Sequence, residues 1–459
     1  DIIFNGEAAS DNFGFSVSCA GDVNGDGYSD VIVGAPGNDR NGTNSGTAYI
    51  YFGGQIMNNN VDVILTGAGA DDSFGFSVAG AGDVNSDGYS DVIVGAYLND
   101  GVASNAGRAY IYYGGIIMNS DRDITFNGQA VNDQFGYSVS SAGDVNGDGF
   151  SDVIVGAYLN DGGGTNSGRA YIYYGGSSMD ATADVTMTGA AASDVLGTSV
   201  SSAGDVNDDG YSDVIVSAPG NDAALSNAGR VYIYLGGSAM DNNADVLLDG
   251  KAIDDQFGNS VASAGDVNGD GFSDVIVGAQ YNDAGGSGAG RAYVYFGGSV
   301  MNNITDAILN SEAANDRFGI SVASAGDFNG DGYSDIIAGA YWNDANGTDA
   351  GKAYLFTNTL TGYDIADEVF NGETDLDYLG YAVSSAGDVN GDGFSDIIVG
   401  APYNDAGGIS AGRAYIYYGG TTMDNVADVS FTGEAEDNEF AVSVSSAGDV
   451  NGDGYSDVI

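Results

Sequence analysis

The chain has 459 residues, 43% of them hydrophobic and 11% aromatic, enough to bury a sizeable core. Its 65 acidic side chains stand against 10 basic ones, with no His, for a formal charge of −55. That balance excludes nucleic acid and phosphate surfaces, which need clustered Lys and Arg, and no run of 18 apolar residues is present to span a membrane.

The first expected element is a short strand over residues 1–6, stopped by Gly6. A pattern then sets in that repeats every 61 residues. In the third copy, residues 123–128 read as a short strand ended by Gly. Residues 135–142 alternate small or apolar with polar side chains, as a strand does. An Asp-rich segment, 144–152, follows. Residues 152–157 form a continuous apolar run, suited to a strand buried on both faces. A Gly- and Asn-rich loop, 160–168, leads to a fourth strand over 169–175. Helical periodicity is missing throughout. Four short strands per unit, repeated many times, describe an all-β propeller of four-stranded antiparallel blades, with an open β-solenoid as the alternative.

The Asp-rich segment, Asp-Val-Asn-Gly-Asp-Gly-Tyr-Ser-Asp in its first copy, occurs eight times. Side-chain oxygens fall at positions 1, 3, 5 and 9, position 7 offers a carbonyl, and Gly at position 6 permits a sharp turn. Alternating oxygen ligands of this kind suit Ca²⁺, and the absence of His and of nearby Cys excludes zinc and copper. The candidate ligands are Asp22, Asn24, Asp26, Tyr28 and Asp30; Asp83, Asn85, Asp87, Tyr89 and Asp91; Asp144, Asn146, Asp148, Phe150 and Asp152; and Asp205, Asn207, Asp209, Tyr211 and Asp213. They continue as Asp266, Asn268, Asp270, Phe272 and Asp274; Asp327, Asn329, Asp331, Tyr333 and Asp335; Asp388, Asn390, Asp392, Phe394 and Asp396; and Asp449, Asn451, Asp453, Tyr455 and Asp457. About one Ca²⁺ per loop is expected. Turn formation alone would account for one such segment, but not for eight with the same ligand positions.

Phe-Gly-x-Ser-Val before the loop, and Gly34-Ala35-Pro36 or Gly400-Ala401-Pro402 after it, resemble the FG-GAP repeat of integrin α-subunit propellers and of many bacterial surface proteins. The resemblance covers essentially the whole chain. Departures are Leu196 and Leu379 for Phe, Ala441 for Gly, and Gly-Ala-Tyr or Gly-Ala-Gln for Gly-Ala-Pro. The resemblance implies seven blades, whereas counting loops favours eight, the last one truncated and closed with help from residues 1–6. Residues 1–459 then form one propeller; the alternative is a seven-bladed ring over 1–427 with 428–459 beginning another unit.

Other residues recur. An Asn-Asp pair follows the apolar strand, from Asn38-Asp39 to Asn404-Asp405, and a base opens the next strand at Arg108, Arg169, Arg230, Arg291, Lys352 and Arg413. An Asp–Arg pair pinning a loop inside each blade is expected, with a ligand-reading ring as the alternative. Alternating Tyr of the fourth strand should fill the space between blades. The two sharpest breaks in symmetry, residues 195–198 and 358–363, assemble no catalytic set, and the lone Cys19 has neither a His nor a disulfide partner.

The expected function is therefore non-enzymatic: a calcium-stabilised extracellular adhesive or structural protein, self-assembling into a filament or layer. A multivalent glycan-binding module is the alternative, and a polysaccharide-active enzyme a more distant one. Partners would be a protein or glycan at the cell surface and copies of the chain itself, without nucleic acid or membrane insertion. Millimolar Ca²⁺ places the protein outside the cell, and the opening inside a repeat suggests a trimmed form.

Overall fold

The computed structural model describes residues 2–8, 10–357 and 362–459. Among the described residues seven blades follow one another along the chain, each a four-stranded antiparallel up-and-down meander, the fifth extended by one further edge strand. The first comprises Ser16–Gly21, Asp30–Ala35, Thr47–Tyr51 and Val63–Thr66. The short first strands, beginning with Ser16–Gly21 and Ser77–Gly82, contact one another from blade to blade, so they line the centre of a β-propeller.

The blade number is seven, not the eight favoured by counting loops. The eighth loop joins only Ser446–Gly448 to Asp457–Val458, a two-stranded hairpin. Its inner strand contacts both Val383–Gly387 and Ser16–Gly21, so it sits between the seventh blade and the first. The strand expected over residues 1–6 is corrected too. Residues 2–6 make no ladder, and Asp1 lies outside the described residues. Phe4 instead stacks on Tyr51, ring centroids 3.9 Å apart, much as Phe126 of the second blade stacks on Tyr173 of the third. The symmetry break at 358–363 falls mostly outside the described residues; Gly362–Asp364 adds a parallel strand to Ala307–Asn310 of the fifth blade.

The core lies between blades rather than within them. Ile32, Ile50 and Leu65 of the first blade pack with Phe74, Val92, Val94, Tyr110 and Tyr112 of the second. The run Asp-Val-Ile-Val-Gly-Ala is buried at every position because a neighbouring blade covers each face. Glycine sets how close blades come. The Gly14 N–H donates to the Gly34 carbonyl at 3.0 Å, and a Cβ at Gly34 would collide with the Gly75 carbonyl of the next blade. The Phe-Gly and Gly-Ala turns are thus one contact, made within and between blades.

Candidate functional site

Each Asp-rich loop spans the inner and second strands, at the end opposite the Phe-Gly and Gly-Ala turns. In the third copy the chain wraps around Asp144. Its Oδ1 accepts the N–H of Gly147 at 2.6 Å and of Asp148 at 3.1 Å, and its Oδ2 that of Gly149 at 2.9 Å. Asn146 Oδ1 accepts the Asp148 N–H and Asp148 Oδ1 the Phe150 N–H, at 2.8 and 3.0 Å. The same pattern holds around Asp22 and Asp266. Positions 1, 3 and 5 therefore share an exposed loop tip, linked in the first copy by Asn24 Nδ2 donating to Asp26 Oδ2 at 3.1 Å.

Position 9 is different. Asp152 is fully buried, and its two oxygens accept the N–H of Val145 at 2.9 Å and of Gly175 at 2.7 Å. It ties the loop to the turn after the third strand. Burial pushes its carboxyl up to about 7, the two amides oppose this, and Asp148 and Asp144 add to it. Asp30, Asp91, Asp213 and Asp274 are likewise raised to about 7, Asp335 to about 8 and Asp396 to about 6. No loop carboxylate takes part in the ion pairs Arg40–Glu7, Arg230–Asp249, Lys352–Glu312 or Arg413–Glu373. The negative charge of the loops is thus left for a cation to offset, and the donors are hard oxygens that fit Ca²⁺. Among the described residues no group of three or more His, Cys, Asp or Glu is gathered as a metal cage. Each position-nine oxygen of Asp152 accepts one main-chain amide, from Val145 and from Gly175.

Two features escape a reading of the ligand pattern alone. The aromatic residue at position 7 covers the neighbouring loop: a Cβ at Gly25 would collide with the Tyr89 ring, at Gly147 with Tyr211, and at Gly452 with Tyr28. Position 4 is left-handed even where it is not glycine, at Ser86 (φ 58°) and Asp208 (φ 56°). The loops are also chained by main-chain bonds. The Ser90 N–H donates to the Asp22 carbonyl and Ser151 to Asp83, and so on round to Ser29, which donates to Asp449 at 3.0 Å. The eighth loop closes this circle although it belongs to no complete blade.

The expected Asp–Arg pin is corrected. Arg413 and Lys352 reach Glu373 and Glu312 of the preceding turn, Arg169 reaches Gln129, and Arg230 bonds Asp249 on the adjacent strand. In five of the seven Asn-Asp pairs the Asn serves a buried Asp two residues before the Phe-Gly or Leu-Gly turn: Asn38 Nδ2 donates to Asp11 at 2.6 Å and Asn99 to Asp72 at 2.6 Å, and Asn221, Asn282 and Asn343 do the same to Asp194, Asp255 and Asp316. A recurring Asp-x-Phe-Gly was visible in the sequence as that signal.

The FG-GAP repeat model matches residues 13–51, 74–112, 135–173, 196–234, 257–295, 318–356 and 379–417. Integrin alpha-5 of Xenopus laevis is 32% identical over 249 residues, which cover 52% of this chain and 23% of that protein. Mouse integrin alpha-IIb is 36% identical over 147 residues, 30% of this chain and 14% of the integrin, and human integrin alpha-6 36% over 158, 34% and 13%. The matches thus span less than a quarter of these relatives. Sqt1 of Chaetomium thermophilum superposes with a TM-score of 0.51 at 11% identity, over 96% of this chain and 90% of that one, a likeness of fold alone. Seven matched repeats coincide with the seven complete blades and supply the glycine contacts between them, so the chain belongs to the FG-GAP repeat family.

Proposed function

We propose that residues 1–459 act as one calcium-stabilised propeller that binds a protein ligand at the cell surface, by presenting surface rather than by catalysis. The observation that carries this is the circle of eight like loops, each with unpaired acidic charge, at one end of an integrin-related scaffold. Ca²⁺ would be held by the side chains at positions 1, 3, 5 and 9 and the carbonyl of position 7, supplying the positive charge that the loops lack. Secretion follows from that need, since millimolar Ca²⁺ is an extracellular condition. Calcium bridging between acidic faces would also support assembly of copies into a filament or layer. The test is metal analysis after dialysis against Ca²⁺, followed by adhesion to cells and to immobilised matrix proteins with and without chelator. About eight ions per chain and calcium-dependent adhesion are expected. One ion or none, or adhesion indifferent to chelator, overturns the reading.

A further inference from the structure

The Phe-Gly turns carry a second feature that the cation loops do not explain. The residue after Phe-Gly is Phe15, Phe76 and Tyr137 in the first three blades, and the residue after Gly-Ala is Tyr97 and Tyr158 in the second and third. These rings form one connected shelf. Phe15 lies 5.0 Å from Phe76, Phe76 lies 4.4 Å from Tyr97 and 5.2 Å from Tyr137, and Tyr137 lies 4.3 Å from Tyr158. The fourth and fifth blades have Thr198, Asn259, Pro219 and Gln280 at the same places and form the same strands. The rings are therefore not required to build a blade.

An open groove of about 230 Å³ runs beside the shelf between the first two blades. Phe15, Phe76 and Tyr97 give it an aromatic side, and Asn12, Asn44 and Asp71 a polar one. Asn44 Nδ2 donates to Asp71 Oδ1 at 3.2 Å, which holds that rim in place. Rings that stack on an apolar face, opposite amide and carboxylate groups that bond hydroxyls, are the chemistry of a pyranose site. No Lys or Arg lines the groove, and Asp71 does, in a chain of charge −55. An acidic sugar is disfavoured on that ground.

We infer that this groove is a binding subsite for a neutral saccharide, on the face opposite the cation loops. The inference rests on the adhesive reading above and gives it a ligand class. Saturation-transfer NMR and calorimetry with maltose, cellobiose, N,N′-diacetylchitobiose and methyl α-mannoside test it on the calcium-loaded chain, with digalacturonate as the acidic control. The double variant Phe76→Thr, Tyr97→Pro carries the residues of the fourth repeat at those places, so the fold tolerates them. At least one neutral probe should bind, about tenfold or more weaker in the double variant at an unchanged melting temperature, and digalacturonate should not. Failure of all four neutral probes, or binding that survives the double substitution, overturns the saccharide site. Calcium-dependent adhesion measured in parallel separates the two readings. Adhesion without sugar binding removes only the subsite, whereas sugar binding without adhesion removes only the broader reading.

Discussion

The two ends of each blade obey different rules. At the cation end, Asp at positions 1, 5 and 9 and Asn at position 3 recur in all eight copies. At the turn end, the residue before Phe-Gly is Asn12, Ser73, Gln134, Val195, Gln256, Arg317 and Tyr378 in successive blades, each at a positive φ. The backbone of that turn is therefore uniform while its side chains are not. A uniform end suits a scaffold shared by every blade, and a varied end suits recognition, since a binding surface needs features that differ from place to place.

Removing Ca²⁺ should sharpen this contrast most. If the loops hold Ca²⁺ as proposed, each occupied site would stabilise by about 2.7 kcal/mol at a hundredfold excess over Kd, against the roughly 5–15 kcal/mol that holds a typical domain. Excess chelator should lower the melting temperature by tens of degrees on the order set by those terms. An unchanged calorimetric melt would show that the cation end is merely a set of turns.

A smaller loss is expected from one loop. Asp152→Ala leaves the buried N–H of Val145 and the half-buried N–H of Gly175 without their acceptor, at a cost of about 2–5 kcal/mol. Asp148→Ala, at the exposed tip, should cost less than Asp152→Ala, because no buried donor is stranded. Chemical denaturation of both variants checks the order, and the reverse order would place the structural weight of the loop at its tip.

Acidity should act on the chelated protein with a definite sign. Burial lifts the carboxyls of Asp30, Asp91, Asp152, Asp213 and Asp274 to about 7, above their ordinary value. The folded chain then holds protons that the unfolded chain releases, so stability is highest below the unfolded value and falls as pH rises through the folded one, between about pH 4 and 7. The calcium-free protein should melt higher at pH 5 than at pH 8, and saturating Ca²⁺ should abolish or reverse the difference. A calcium-free melt that rises with pH would contradict the burial of these groups.

The smallest effect lies in the backbone of the loops. Ser86→Gly replaces a left-handed residue at position 4 by the one that six other copies carry, and should stabilise by about 0.5–1 kcal/mol. Denaturant midpoints of the variant and parent decide it. A destabilised variant would mean that the Ser86 side chain contributes more than its φ costs.

Much of this was legible in the residues themselves. The expected apolar strand 152–157 is the observed Asp152–Ala157, and the strand expected over 169–175 is Arg169–Tyr173. The inner strand starts later than expected, at Val139 rather than residue 135, because Gln134 and Gly136 take positive φ and make a turn of the Phe-Gly segment. Alternation of small and polar residues runs through both turn and strand and could not mark the boundary. The alternating Tyr expected on a fourth strand lie on the third strand of a blade, and those of the second and third blades, Tyr110, Tyr112, Tyr171 and Tyr173, do fill the space between blades.

By itself the sequence determined the period, the strands within one repeat, the family and the chemical kind of the loops. Each is a local property, written in spacing, alternation and oxygen-bearing side chains. The structure assigns the strand expected first in the third copy, Ile124–Asn127, to the outer edge of the preceding blade. Only the tertiary structure decided the number of complete blades, the lodging of the two-stranded eighth unit beside the first blade, and the partners of the bases. It also decided that position 9 is buried among amides, and that rings 61 residues apart meet on one shelf. Those facts depend on how neighbouring blades close on each other, and contacts between blades leave no mark in the spacing within one.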